Sequence, residues 1–232
     1  MFRDDVKKYL SYDLTSKQLE QLDSYYEFLI EYNKITNLTR IVEKNEVFYK
    51  HFYDSISLIK HFDMTTVETF CDMGAGAGFP SIPLKILFPH LKITIIDSLG
   101  KRIIFLKKLI EKLNLMDVNI IYDRVENYAH KAINTFDIVT ARALGRLPLI
   151  LELGLPMVKI NGLFIAYKTS NYEDELKDSK KAIEILGGKL KSISPIELPH
   201  EYGNRTHIII QKNKKSPAIY PRLFSIIKKK SL

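Results

Sequence analysis

Along residues 14–35, "LTSKQLEQLDSYYEFLIEYNKI", apolar side chains recur at steps of three and four. Leu19, Leu22, Tyr26 and Leu29 fall on one face, the period of an amphipathic helix. Its start is marked: Thr15 is placed to cap the helix, Gln18 completes a capping box, and Leu14 faces Leu19 as a hydrophobic staple. A second helix is predicted over about Glu43 to Lys60, through "NEVFYKHFYDSISLIKHF". From residue 67 short apolar runs take over. "VETFCDM", "LKITIID", "NIIYD", "FDIVTAR" and "NGLFIAYK" read as strands. Between them fit helices, most clearly "KRIIFLKKLIEKLNL" and "YEDELKDSKKAIEILGG", the latter ended by Gly187-Gly188. This alternation predicts right-handed βαβ units and a mostly parallel sheet. "KLKSISPIEL" and "RTHIIIQKN" follow with no helix between them, so they are expected to pair antiparallel at one edge. The pattern divides the chain into a helical N-terminal extension, 1–65, an α/β domain, 66–212, and a C-terminal tail, 213–232.

The 232 residues are 46% hydrophobic, enough for one sizeable core. No apolar run reaches the roughly 18–20 residues that span a bilayer, and "MFRDDVKKYLSYDL" has no signal-peptide character, so a cytoplasmic protein without a membrane partner is expected. The single cysteine, Cys71, reads as a buried strand residue. The sequons at Asn37 and Asn204 carry no weight in an unsecreted chain. The net charge of +8 is uneven. Residues 1–65 sum to −2 and 66–210 to +3, while the last 22 hold seven basic residues and no acid. Such a tail is the footprint expected for a polyanionic partner.

"CDMGAGAGFP" raises the question of a ligand. A strand ends at Asp72, Gly74, Gly76 and Gly78 form the turn, and Pro80 suits a helix start. The P-loop ending Gly-Lys-Ser/Thr is missing, and Phe79 stands where the dinucleotide fingerprint needs its third glycine. Phe79 would crowd a pyrophosphate; a ligand with an adenosine and no phosphate suits it better. The next strand ends at Asp97, 19 residues after Gly78, where a carboxylate can accept from ribose hydroxyls. S-adenosylmethionine meets these constraints: its carboxylate suits the amides of the helix start, and Asp72 can take its amino group or brace the loop.

At this point the chain resembles the bacterial 16S ribosomal RNA small-subunit methyltransferase G family, also called glucose-inhibited division protein B. "YNKITNLT", "HFYDSI", "CDMGAGAGFPSIPLKI", "IIDSLGKRIIFL", "DRVEN", "DIVTARA", "NGLFIAYK" and "YPR" match its motifs in order, from about Tyr32 to Arg222. The resemblance implies a class I methyltransferase fold, Rossmann-like, with a helical N-terminal extension. It also implies methyl transfer from S-adenosylmethionine to N7 of one guanosine in 16S rRNA of the small ribosomal subunit. Family cofactor positions fall on Gly74, Phe79, Val125, Glu126 and Arg142. Two departures stand out: the tail after "YPR" runs "LFSIIKKKSL" without the usual glycine and proline, and Gly100 replaces a polar residue.

Guanine N7 offers a lone pair and carries no proton, so an in-line transfer to it needs no general base. The sequence agrees: it shows no nucleophile–base pair, and its six histidines lack metal-ligand spacing, so neither a catalytic acid–base residue nor a metal is expected. Positioning would supply the rate. His51 and Asp54, three apart on a helix, are candidates for an RNA-binding lip. Lys101, Arg102, Arg124 and Lys168, beyond strand ends, are candidate phosphate contacts, and Arg222 joins them on resemblance alone. The expected assembly is a monomer acting on rRNA or the small subunit. A methyltransferase for a small molecule or protein would share the fold and loop. An NAD-dependent oxidoreductase is disfavoured by Phe79, and an RNA-binding protein without activity by the intact loop and both acids.

Overall fold

A computed structural model describes residues 1–169 and 171–232. The N-terminal segment opens with α1 (Phe2–Leu10), whose Val6 and Leu10 are buried, and continues in α2 (Ser16–Thr36). The Thr15–Gln18 capping box is present in both directions. The predicted second helix is a continuous helical run of several kinds: α3 (Lys44–Val47), a π-turn over Phe48–Tyr53, α4 (Asp54–Ile56) and a 3₁₀ turn over Ser57–Lys60.

Seven strands form one sheet: β1 (Thr69–Met73), β2 (Lys92–Asp97), β3 (Val118–Tyr122), β4 (Phe136–Arg142), β5 (Val158–Lys168), β6 (Gly188–Leu198) and β7 (Gly203–Lys212). Their order is β3-β2-β1-β4-β5-β7-β6. The first five are parallel, and β7 runs antiparallel to both β5 and β6. The sequence order reverses between β1 and β4, so the switch point where such sheets bind ligands lies above the carboxyl ends of these two strands. The connecting helices are α5 (Ser81–Leu87), α6 (Gly100–Lys112), α7 (Val125–Ala129), α8 (Leu147–Gly154), then α9 (Glu173–Asp178) and α10 (Lys180–Ile185), which together make up the one helix expected at 172–188.

Two apolar clusters flank the sheet. On one face the N-terminal segment supplies Leu14, Leu22, Tyr25, Leu29 and Phe52 to a core shared with Phe70, Ile95, Phe105 and Ile209. On the other, Cys71, Val139, Leu151 and Phe164 pack with the C-terminal residues Ile227 and Leu232. Residues 213–232 therefore lie against the domain, with α11 (Phe224–Lys229) burying Ile227.

Two of the seven C-terminal cations have structural work. Lys212 is fully buried and donates to the Leu155 carbonyl at 2.6 Å and to Ser216 Oγ at 3.0 Å; burial lowers its pKa to about 8. Arg222 grips Glu152 of α8 through Nε at 2.7 Å and a terminal nitrogen at 2.7 Å. The guanidinium of Arg222, a candidate RNA contact, is thus paired with a carboxylate that has no exposed surface.

That pair anchors the tail, and removing one partner strands the other. Arg222→Ala is expected to cost about 3–5 kcal/mol in urea unfolding by leaving Glu152 buried and unpaired, and Arg222→Met with Glu152→Leu to recover most of it. Equal stability of Arg222→Ala and wild type would show that the pair anchors nothing.

Candidate active site

Three glycines follow β1 for two different reasons. All have positive φ, +69° at Gly74, +61° at Gly76 and +99° at Gly78, a region other residues enter at a cost. A Cβ at Gly74 would stand 2.7 Å from Leu144, and one at Gly78 would stand 2.7 Å from Ile82 and 2.8 Å from the Tyr25 hydroxyl. At Gly76 it would meet no atom within 4 Å. Gly74 and Gly78 are thus packing positions, whereas Gly76 presents bare backbone to open space.

Two acids hold this loop. Asp97, at the end of β2, accepts from the Leu99 amide through one oxygen, and from the Gly76 amide at 3.3 Å and Arg102 at 3.2 Å through the other. Asp72 is fully buried; one oxygen accepts from the Ser81 amide at 3.1 Å, and the other has no partner among the described residues. Burial raises its carboxyl to about 7, against the lowering effect of the Ser81 bonds and Arg142.

Phe79 is buried in a stack, its ring centroid 5.4 Å from Tyr25 and 4.6 Å from His51. Arg142 lies over the same ring at 5.3 Å. The guanidinium of Arg142 reaches Asp54 at 3.1 Å, His51 Nδ1 at 2.6 Å, and the carbonyls of Lys50 and His51 at 3.4 Å. Accepting from Arg142 requires Nδ1 of His51 to be unprotonated, so the proton sits on Nε2, 3.0 Å from Thr39 Oγ1. Burial, then the Arg142 charge, lowers the His51 pKa to about 3, so the ring is neutral at physiological pH.

Two cavities meet at this cluster. One, of about 210 Å³, is lined by Gly74–Ala77, Phe79, His51, Arg102, Arg142 and Leu144. The other, of about 360 Å³, extends from the same His51 and Arg142 past Asp54, Tyr167, Lys168, Glu175 and Arg205. Gly74, Gly76, Phe79 and Arg142 thus converge on the first cavity, and Asp97 braces its loop. Val125 and Glu126 lie outside its lining; Glu126 is buried and paired with Arg124 at 2.6 Å.

Several candidate RNA contacts are engaged within the fold. His51 and Asp54 form no exposed lip: they are 8% and 2% exposed and are turned inward on Arg142. Arg102 lines the first cavity and pairs with Asp97 instead of reaching outward. Lys168 pairs with Glu175 at 2.7 Å in the second cavity. Lys101 and Arg124 are exposed, the former donating to the Thr36 carbonyl at the end of α2 and the latter pairing with Glu126. Glu175 and Arg205 were missed. Glu175 lies in a charged helix seven residues past the end of β5 and Arg205 near the start of β7, and only the folding of α9 and β7 over the site brings them in.

Residues 18–204 match the family described as rRNA small subunit methyltransferase G. The chain is 51% identical over 211 residues to the ribosomal RNA small subunit methyltransferase G of Bacillus subtilis (strain 168), covering 90% of this chain and 88% of that protein. The protein of the same name from Bacillus thuringiensis (strain Al Hakam) is 50% identical over the same shares. The fold is shared with M. jannaschii TYW2 in complex with AdoMet, at a TM-score of 0.56 and 17% identity over 74% of this chain and 77% of that one. It is shared too with precorrin-6y C5,15-methyltransferase from Geobacter metallireducens GS-15, at 0.52 and 16% over 69% and 87%.

The Asp72 carboxyl gives a pH signature. Between about pH 4 and 7 the unfolded chain has released this proton and the folded chain keeps it. Stability therefore falls as pH rises, by up to about 1.4 kcal/mol per unit, and the loss is complete above about 7. Asp72→Asn has no such proton and is expected to gain on wild type between about pH 4 and 7 in urea titrations. A pH-independent difference would mean that Asp72 ionises alike in both states.

Proposed function

The chain belongs to the ribosomal RNA small subunit methyltransferase G family, and from that membership and this site we propose that it methylates N7 of one guanosine of 16S rRNA. It is an S-adenosylmethionine-dependent methyltransferase of small-subunit rRNA. The observation that carries the reading is the pair of cavities with a common wall at His51 and Arg142, one under a glycine loop, the other polar and open towards β5 and β7.

The residues fit the cofactor. Bare backbone at Gly76 admits close approach, and Asp97 stands at the end of β2 where ribose hydroxyls are met. The unpartnered oxygen of Asp72 lies beneath the loop as an acceptor for an ammonium group. Gly74, Gly76, Gly78, Phe79, Asp72, Asp97 and Arg142 hold it in this reading, with Val125 and Glu126 towards the adenine. When bound, the cofactor supplies an electrophilic sulfonium methyl.

The protein's own part is positioning. N7 carries no proton, so no side chain has to remove one, and the buried neutral His51 acts as a strut for Arg142 and not as a base. Holding donor and acceptor in near-attack geometry supplies the rate. Arg142, on the wall between the cavities, sets the distance between them.

The acceptor is rRNA or the small subunit, in the cytoplasm, and the enzyme works as a monomer. Residues 1–65 act as the helical cover of a methyltransferase domain at 66–212, and the exposed lysines at 214, 215 and 228–230 give the tail 213–232 its attraction for phosphates. No helix among the described residues is long and apolar enough to cross a membrane.

Incubation of small subunits lacking the modification with labelled S-adenosylmethionine, followed by nucleoside mass analysis, is expected to yield 7-methylguanosine. Cofactor binding without label in RNA would move the search to a small-molecule or protein acceptor. Arg142→Lys keeps a charge for Asp54 but loses the fork; transfer is expected to fall more than about tenfold. Wild-type turnover would remove Arg142 from the site.

A further inference from the structure

The second cavity contains a donor and an acceptor side by side. Lys168 closes β5, and its ammonium donates to Glu175 at 2.7 Å and to the Gly145 carbonyl at 2.8 Å. An ammonium has three donors, so one has no partner among the described residues. Glu175, from α9, takes the Lys168 proton and the Leu147 amide at 2.6 Å on the same oxygen, Oε2. Its Oε1 accepts from no described residue. Both side chains are partly accessible, 12% and 23%. Deeper in the same cavity Asp54 is 2% exposed and one of its oxygens is also unpartnered among the described residues. The cavity is thus lined by polar groups with bonding capacity to spare.

The register fixes where this pair stands. Arg142 of β4 pairs with Tyr167 of β5, so Lys168 lies one strand further than Arg142 from the glycine loop, about 5 Å along the sheet. A purine whose N7 faces the first cavity at Arg142 extends its O6 and then its N1 and N2 in that direction. Guanine offers an acceptor at O6 followed by donors at N1 and N2; adenine offers a donor at N6 and an acceptor at N1. A free ammonium donor followed by a free carboxylate oxygen is complementary to guanine. Against adenine, donor would face donor and lone pair would face carboxylate, and such mismatches are costly in a desolvated pocket.

Resting on the N7 reading above, we propose that this cavity receives the acceptor base, with Glu175 accepting from guanine N1–H and N2–H and Lys168 donating to O6. Glu175 is then the residue that restricts the enzyme to guanosine. Asp54 remains the counter-charge for Arg142 and Arg205, at 3.1 and 3.5 Å.

A purely structural Glu175, capping α8 through the Leu147 amide, is the competing account, and coupling separates the two. Wild type and Glu175→Ala are assayed on small subunits with guanosine at the acceptor position and on subunits reconstituted with inosine there, which lacks the N2 amino group. Wild type is expected to lose about tenfold in kcat/KM on inosine. Glu175→Ala, which has no acceptor, is expected to lose at least as much on guanosine, yet no more than about twofold further on inosine, with S-adenosylmethionine affinity unchanged by titration. An equal inosine penalty in both enzymes would overturn the proposal, as would full activity of the variant on guanosine. Failure of wild type to methylate the guanosine subunits would overturn the RNA reading itself, and this proposal with it.

Discussion

A guanidinium that ends a central strand beneath a helical cover has to be neutralised, and the way Arg142 is neutralised organises the site. Its side chain is only 15% exposed, and its main counter-charge, Asp54, is 3% exposed. A charge so placed persists only if it is paired and its remaining protons are bonded. All the partners come from the helical run at 44–60: the Asp54 carboxylate, the His51 ring nitrogen, and the Lys50 and His51 carbonyls. The π-turn over Phe48–Tyr53 aims those carbonyls at the guanidinium, a common use of such turns. Without that segment β4 would end in a cation lacking most of its partners.

The same dependence appears at α5. Its last carbonyls need donors, and α2 and the chain before it supply them: Gln18 reaches the carbonyls of Ile86 and Leu87, and Tyr12 reaches Leu87 at 2.9 Å. Tyr25 donates to the Ala77 carbonyl within the glycine loop. A loop with three positive-φ glycines would otherwise be mobile. Here it is held from above by Tyr25 and Phe79, from the side by Asp97, and from below by the Asp72–Ser81 bond. Pre-organisation of the cofactor cavity is thus a property of residues 1–65 as much as of the sheet.

Legibility in the sequence follows from how local each signal is. The strands and α2 were readable because a capping box and alternating or unbroken apolar runs lie within a few residues of one another. Helix α8 was not: "LPLILELG" is apolar at nearly every position because it is buried, so it offers no polar face to mark a period. Helix α1 has only Val6 and Leu10 to mark it. The glycine loop was legible as a turn of bare backbone, since the residues that line the first cavity there follow one another in the chain. The second cavity was not, because Arg205, Lys168 and Glu175 come from three elements and meet only through the register of β4, β5 and β7. Charge misled for a related reason. Arg102 and Arg222 count as cations in the sequence, but Asp97 and Glu152 occupy them in the fold.

These pairings bear on what the site must do. Methyl transfer from a sulfonium to a neutral ring nitrogen moves one positive charge a short way and creates none, so an oxyanion hole or a basic catalyst has no task here. What the reaction requires is a fixed separation and a field that does not oppose the charge as it arrives on the acceptor ring. Arg142 by itself would oppose it. Asp54 on one side of the guanidinium, and a His51 kept neutral by burial and by that same guanidinium, prevent a second cation from forming at the wall. Lys168 is matched by Glu175, while Asp54 is shared by Arg142 and Arg205, so two carboxylates answer these three cations of the second cavity. The cost of burying these charges is offset by pairing, and the two carboxylates weaken the positive field where the purine ring gains its charge.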